Sequence, residues 1–194
     1  NDDRIVQRFA LALLYYATNG PTSWTSGNRN AWLLSSTECP WGITLGGYNV
    51  ECTNDVVDDI SLWNDGLFGT IPGEIALLNS LTRLVLFQNN LEGTIPTEIG
   101  LLSSLTVLSL DSNRLDGSIP TEIGPLTSLT SLALHQNNLE GAIPTEIGLL
   151  SSLKNFVLAS NNLEGDIPTE IGLLSSLTNL DLSRNATLSG RVPT

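Results

Sequence analysis

Two residues in this chain could do acid–base chemistry together. Asp111 and His135 stand 24 positions apart, and Ser112 and Ser160 each fall one residue beyond the column they share. A carboxylate that orients an imidazole, beside an imidazole that takes a hydroxyl proton, is the apparatus of acyl transfer. The rest of that apparatus is missing: neither a nucleophile elbow nor an evident oxyanion hole accompanies the serines. The reading is therefore a surface Asp–His pair and not an enzyme. Such a pair would tie binding to pH, because imidazole changes charge near neutrality. No residues call for a cofactor, and no metal site is expected.

Cys39 and Cys52 are the only cysteines and share one short segment. One bridge in an oxidising compartment is favoured there over two free thiols. Closing so short a loop would stabilise the fold by about 3 kcal/mol. The net charge is −12, with a single Lys (Lys154) among eight basic residues. A chain so acidic repels nucleic acid and anionic lipid. No apolar run approaches the roughly 18 residues of a membrane span. The start at Asn1, without Met or leader, suits a mature chain.

The elements that must position these side chains come from a repeat. "LEGTIPTEIGLLSSLT" from Leu91 returns, with few changes, from Leu115, Leu139 and Leu163, and a looser copy starts at Leu67. Setting position 1 at Val57, Leu81, Leu105, Leu129, Leu153 and Leu177 divides residues 57–194 into six units of 24, the last one short (57–80, 81–104, 105–128, 129–152, 153–176, 177–194). The shared pattern is L-T-x-L-x-L-x-x-N-x-L-x-G-x-I-P-x-E-I-G-x-L-x-S. A unit this small cannot bury its own apolar face and must stack on its neighbours, so the period marks a solenoid. The x-L-x-L-x alternation predicts a short strand with one face inward. Asn at position 9 (Asn89, Asn113, Asn137, Asn161, Asn185) can turn inward and serve backbone donors and acceptors at once. The first unit has Asp65 there. Gly at position 13 permits a bend, and Pro at position 16 ends the extended stretch. The E-I-G-x-L segment is expected to pack Ile and Leu inward from a helical turn on the far side.

The L-x-G-x-I-P wording after N-x-L resembles the plant-type leucine-rich repeat, as found in receptor ectodomains and polygalacturonase inhibitors. "IPTEIG" also resembles repeat proteins of diatoms and related algae. The likeness covers residues 57–194. It implies an α/β solenoid: a right-handed superhelix with a parallel sheet on its concave face and a second short strand from the L-x-G-x-I-P segment. Residues 1–56 do not repeat and are assigned to an N-terminal cap. A helix is expected over about 3–18, where Ile5, Phe9, Leu13 and Tyr16 recur three or four apart and Asn19-Gly20-Pro21 stops the run. Trp24, Trp32, Trp41 and the disulfide loop 39–52 follow. The helix, "CPWGI" and second cysteine resemble the plant-type cap, with a longer gap between the cysteines. The tryptophans are read as cap filling. No C-terminal cap is visible, so the chain is expected to continue past Thr194.

Within one chain the units vary at positions 3, 5, 7 and 8, the outward strand positions and their exit. Asp59, Arg83 and Val107 stand at position 3, Val85 at position 5, Trp63, Phe87, Asp111 and His135 at position 7, and Gln88 at position 8. The aromatic pair with Arg83 and Val85 beside it has the composition of an interaction hot spot. These nine are the candidate ligand-binding residues, on the face that ligands of the resembled family usually use. Acids recur behind them, at position 18 (Glu74, Glu98, Glu122, Glu146, Glu170) and position 12 (Glu92, Asp116, Glu140, Glu164). They suit solubility, with weak contact to Ca²⁺ or a basic surface as the sharper reading. Asn185-Ala186-Thr187 is a weak glycosylation sequon, because Asn185 is also the position 9 Asn of its unit.

The function expected is secreted or cell-surface recognition of a protein, peptide or glycan, without nucleic acid or membrane insertion. The alternative is an adhesive matrix protein acting through acidic columns and cations. More remote is ice binding through the column Thr97, Thr121, Thr145 and Thr169.

Overall fold

A computed structural model describes residues 2–24 and 49–191. Trp32, Cys39, Trp41 and Pro193 lie outside them. Cys52 is disulfide-bonded.

The chain opens with helix α1 (Asp2–Ala17), broken where Asn19 turns left-handed (φ 58°), followed by the short α2 (Gly20–Ser23). The face α1 buries is not the stripe that the three-and-four spacing of large residues marks. Ile5, Phe9 and Tyr16 are exposed, while Gln7, Ala10, Leu11, Leu14, Tyr15 and Thr18 are buried. Two apolar stripes compete on this helix, and hydrogen bonding favours the smaller one. The Gln7 side-chain oxygen accepts the buried Val57 N–H at 2.6 Å. The Thr18 carbonyl accepts from Phe68 N–H and from the buried Trp24 indole. Polar groups on the inner stripe thus meet backbone that would otherwise be orphaned at the end of the stack.

Strand β1 (Asn49–Thr53) pairs antiparallel with β2 (Val56–Ser61). The turn residues Asn54 and Asp55 both have positive φ (53° and 63°), the twist that suits a two-residue hairpin. This hairpin covers the first edge of the sheet, where an open strand would recruit other chains. From β2 the sheet runs in parallel through β4 (Arg83–Val85), β6 (Val107–Ser109), β8 (Ser131–Ala133), β10 (Asn155–Val157) and β12 (Asn179–Asp181). Asp59 pairs with Arg83, Arg83 with Val107, Val107 with Ser131, Ser131 with Asn155 and Asn155 with Asn179. Every rung therefore aligns at one repeat, and residues sharing a position number form straight columns.

Between these strands run β3 (Phe68–Gly69), β5 (Asn90–Thr94), β7 (Arg114–Asp116), β9 (Glu140–Gly141), β11 (Asn162–Asp166) and β13 (Thr187–Ser189). They form two three-stranded sheets, bridged where Asn138 and Glu140 N–H donate to the Leu115 and Gly117 carbonyls. Each of the first five units closes with a 3₁₀ turn opened by Pro: Gly73–Leu77, Thr97–Leu101, Thr121–Ile123, Thr145–Leu149 and Thr169–Leu173. The core is the leucine and isoleucine between the layers, most of it fully buried.

The asparagine column holds the loops between the layers. Asn137 donates to the Leu110 and Leu134 carbonyls at 3.0 and 3.1 Å and accepts the Leu115 N–H at 3.0 Å. Asn89, Asn113 and Asn161 repeat this arrangement. A threonine column does similar work at the strand entrance. Thr82, Thr106, Thr130 and Thr178 each donate to the carbonyl one unit earlier, at 2.9–3.0 Å.

Candidate functional site

The alternation of the strands sends positions 4 and 6 into the core and positions 3, 5 and 7 to the opposite face. Leu84 and Leu86 are fully buried, whereas Arg83 is exposed and Phe87 half-buried. Asp59, Trp63, Arg83, Val85, Phe87, Val107, Asp111 and His135 therefore share one surface, with Gln88 exposed at its rim.

At the N-terminal end of this surface Trp63 and Phe87 stack face to face, with centroids 5.4 Å apart and planes within 2°. They occupy one column in adjacent rungs, and the strand spacing of about 4.8 Å brings their rings into contact. Arg83 donates from Nε to Asp59 Oδ2 at 2.9 Å. The Ser61 hydroxyl donates to the other oxygen of Asp59 at 2.6 Å. Arg83 remains half-exposed and presents an oriented guanidinium on the same strand face, two outward positions before Phe87. Val85 does not present a surface: it is 7% exposed. Its neighbours on the same strand face are Arg83 and Phe87. Val107 is half-buried.

Further along, His135 Nε2 lies 3.6 Å from Asp111 Oδ2, and the Ser109 hydroxyl donates to Asp111 Oδ1 at 2.6 Å. Asp111 is buried by this arrangement, at 8% exposure. The serine nearest in sequence is turned elsewhere, since the Ser112 hydroxyl donates to the Gln136 side chain at 2.7 Å. No triad is assembled among these residues. Nε2 is the ring nitrogen that meets the carboxylate, while His135 Nδ1 is buried without a hydrogen-bond partner. Asp181 closes the position 5 column, and the Ser183 hydroxyl and backbone N–H hold its carboxyl below the usual range.

Ser61 and Ser109 are supporting residues that the sequence reading passes over. Each lies two residues from an Asp, within β2 for Ser61 and just past the end of β6 for Ser109, the period that puts two side chains on one face. Position 8 differs in kind from the other variable positions. Asn64, Gln88, Ser112, Gln136, Ser160 and Arg184 all have φ between 52° and 59°. Identity varies there, but the backbone is left-handed throughout, which excludes β-branched residues.

Asn185 keeps the ladder geometry. It donates to Leu158 and Leu182 carbonyls and accepts Leu163 N–H, so the amide nitrogen a glycan would need is engaged and buried. Thr97, Thr121, Thr145 and Thr169 are exposed, each donating to the Glu that follows it. Among the described residues no three His, Cys, Asp or Glu side chains gather as a metal site. No described helix is long and apolar enough to cross a membrane.

The family model described as Leucine Rich Repeat matches residues 80–102 and 104–126. The chain is similar to the BIR2 ectodomain from Arabidopsis thaliana at 32% identity and a TM-score of 0.76, over 98% of this chain and 95% of that one. A chain of the BIR3–SERK2 complex from Arabidopsis thaliana is similar at 30% identity and a TM-score of 0.74, over 94% of each. The plant peptide hormone receptor RGFR1, solved in complex with RGF2, is 35% identical over 70% of this chain with a TM-score of 0.68. The match spans 22% of that receptor chain. No curated protein matches the chain.

Proposed function

Because the chain belongs to the plant-type leucine-rich repeat family, we propose that it is a non-catalytic extracellular recognition module. It binds a protein or peptide across the strand face. The observation that carries this reading is the coplanar Trp63–Phe87 stack on the strand face that Arg83 shares. Two rings locked against each other lose little conformational freedom on binding and offer broad apolar contact. The Arg83 guanidinium further along the same face is already oriented by Asp59, so a carboxylate or carbonyl on the partner meets a preorganised donor. Asp111 and His135 extend the same column with polar groups that contribute selectivity. Similar ectodomains solved with a peptide hormone or a second receptor support a protein or peptide partner.

The test is capture from native extracellular medium by the immobilised chain and by a Trp63→Ala/Phe87→Ala double variant with an unchanged melt. Truncating a hot-spot aromatic weakens binding by about 2 kcal/mol or more, roughly 30-fold. Equal capture by both chains removes the site.

A further inference from the structure

A 3₁₀ turn has three residues per turn, so residues three apart share a face. In this solenoid that pairs Glu74 with Leu77, Glu98 with Leu101, Glu122 with Pro125, Glu146 with Leu149 and Glu170 with Leu173. The leucines are not core. Leu101, Leu149 and Leu173 are 66%, 57% and 65% exposed and Leu77 is 41% exposed, whereas the next residue in each turn is buried. Single exposed leucines are ordinary, but a column in register on one face is a continuous apolar stripe. Leu149 reaches toward the preceding unit: a Cβ on Gly124 would lie 3.1 Å from Leu149 Cδ1. At its N-terminal end Leu77 shares a cleft with Val6 of α1, which lengthens the stripe by another exposed apolar side chain.

We propose that this leucine ladder is a second docking surface, on the side of the solenoid away from the strand face, and that its partner is a basic amphipathic helix. The charge around the stripe selects that occupant. The glutamate column runs alongside, and no Lys or Arg occurs in 73–80, 97–104, 121–128, 145–152 or 169–176. A second copy of the chain would set Glu against Glu and, at net charge −12, meet general repulsion. An anionic lipid surface meets the same repulsion. A helix with leucines on one face and lysines at its flank satisfies both columns. Its pitch of about 5.4 Å is close to the roughly 4.8 Å spacing of paired strands, so apolar residues one turn apart stay near the four leucines and Pro125 over five rungs. This is the helix-in-groove mode of recognition, with anchors at i, i+3/i+4 and i+7.

Fluorescence anisotropy of a labelled Leu/Lys amphipathic helix of about five turns tests the assignment. Controls are a scrambled Leu/Lys peptide and a matched Leu/Glu helix. The Leu/Lys helix is expected to bind the wild-type chain, less tightly as salt rises. The Leu101→Ser/Leu149→Ser/Leu173→Ser variant is expected to weaken it at least about tenfold, given the apolar contact removed. The Glu98→Gln/Glu146→Gln/Glu170→Gln variant is expected to weaken it and flatten the salt dependence. The Trp63→Ala/Phe87→Ala variant is expected to bind it as wild type does, which separates this surface from the one under Proposed function. The single variants Leu101→Ser and Leu149→Ser carry the same comparison if the triple variant does not fold. The proposal is overturned by absence of binding, by equal binding of the leucine variants, by equal binding of the scrambled or Leu/Glu peptide, or by sedimentation showing self-association through the ladder.

Discussion

Replacing Asn137 with Ala separates the work of the asparagine column from that of the leucine core. The side chain is buried, with two close bonds to carbonyls, a longer one to the His135 carbonyl at 3.4 Å and one from a backbone N–H. The losses are unequal. The Leu110 carbonyl keeps a bond from Asn113, and the Leu134 carbonyl keeps one from Asn161. Each therefore loses one of two donors, about 0.5–1 kcal/mol apiece. Leu115 N–H has Asn137 as its acceptor and lies in the covered interior of its loop, so it becomes an orphan at about 1–3 kcal/mol. The sum is about 2–5 kcal/mol. At roughly 2–4 °C per kcal/mol for a domain of this size, the melting temperature should fall by about 4–20 °C. Amide exchange locates the effect: Leu115 should lose protection in Asn137→Ala far more than Leu108 or Leu132. A melt within about 0.5 kcal/mol of wild type, or unchanged Leu115 exchange, would refute the claim that the column holds the loops.

Gly100→Ala tests the stacking of the 3₁₀ turns. A Cβ there would overlap the Glu122 carbonyl oxygen and approach Glu122 Cβ to 2.9 Å. The two units must separate, at about 1–3 kcal/mol, which a denaturant midpoint will read. A neutral result would mean the turns slide freely. The Asp181 carboxyl is held down first by the Ser183 hydroxyl, so Ser183→Ala should raise its titration midpoint in carbon-detected NMR. A group depressed in the folded state adds stability above its unfolded value of about 3.9, lost as pH falls through the folded one. The acid-side slope of stability should therefore flatten slightly in Ser183→Ala, and an unmoved midpoint would reject the assignment.

The period of 24, the inward leucines, the ladder role of asparagine and the alignment of Trp63 with Phe87 were all legible in the chain. Repetition forces them: identical units stacked side by side place equal positions in columns, so comparing units inside one sequence separates buried from outward positions. Tertiary structure decided what repetition leaves open. On α1 two apolar stripes satisfy the helical period, and Gln7 meeting Val57 N–H selected the one with fewer large residues. Val85 points outward by parity yet is buried, a coverage that parity alone does not give. The left-handed backbone at position 8 and the exposure of the position 21 leucines have no signature in residue type, since both follow from how the chain turns between strand and 3₁₀ segment. Periodicity in a sequence specifies which residues share a column, whereas contact between columns sets which of them solvent, or a partner, can reach.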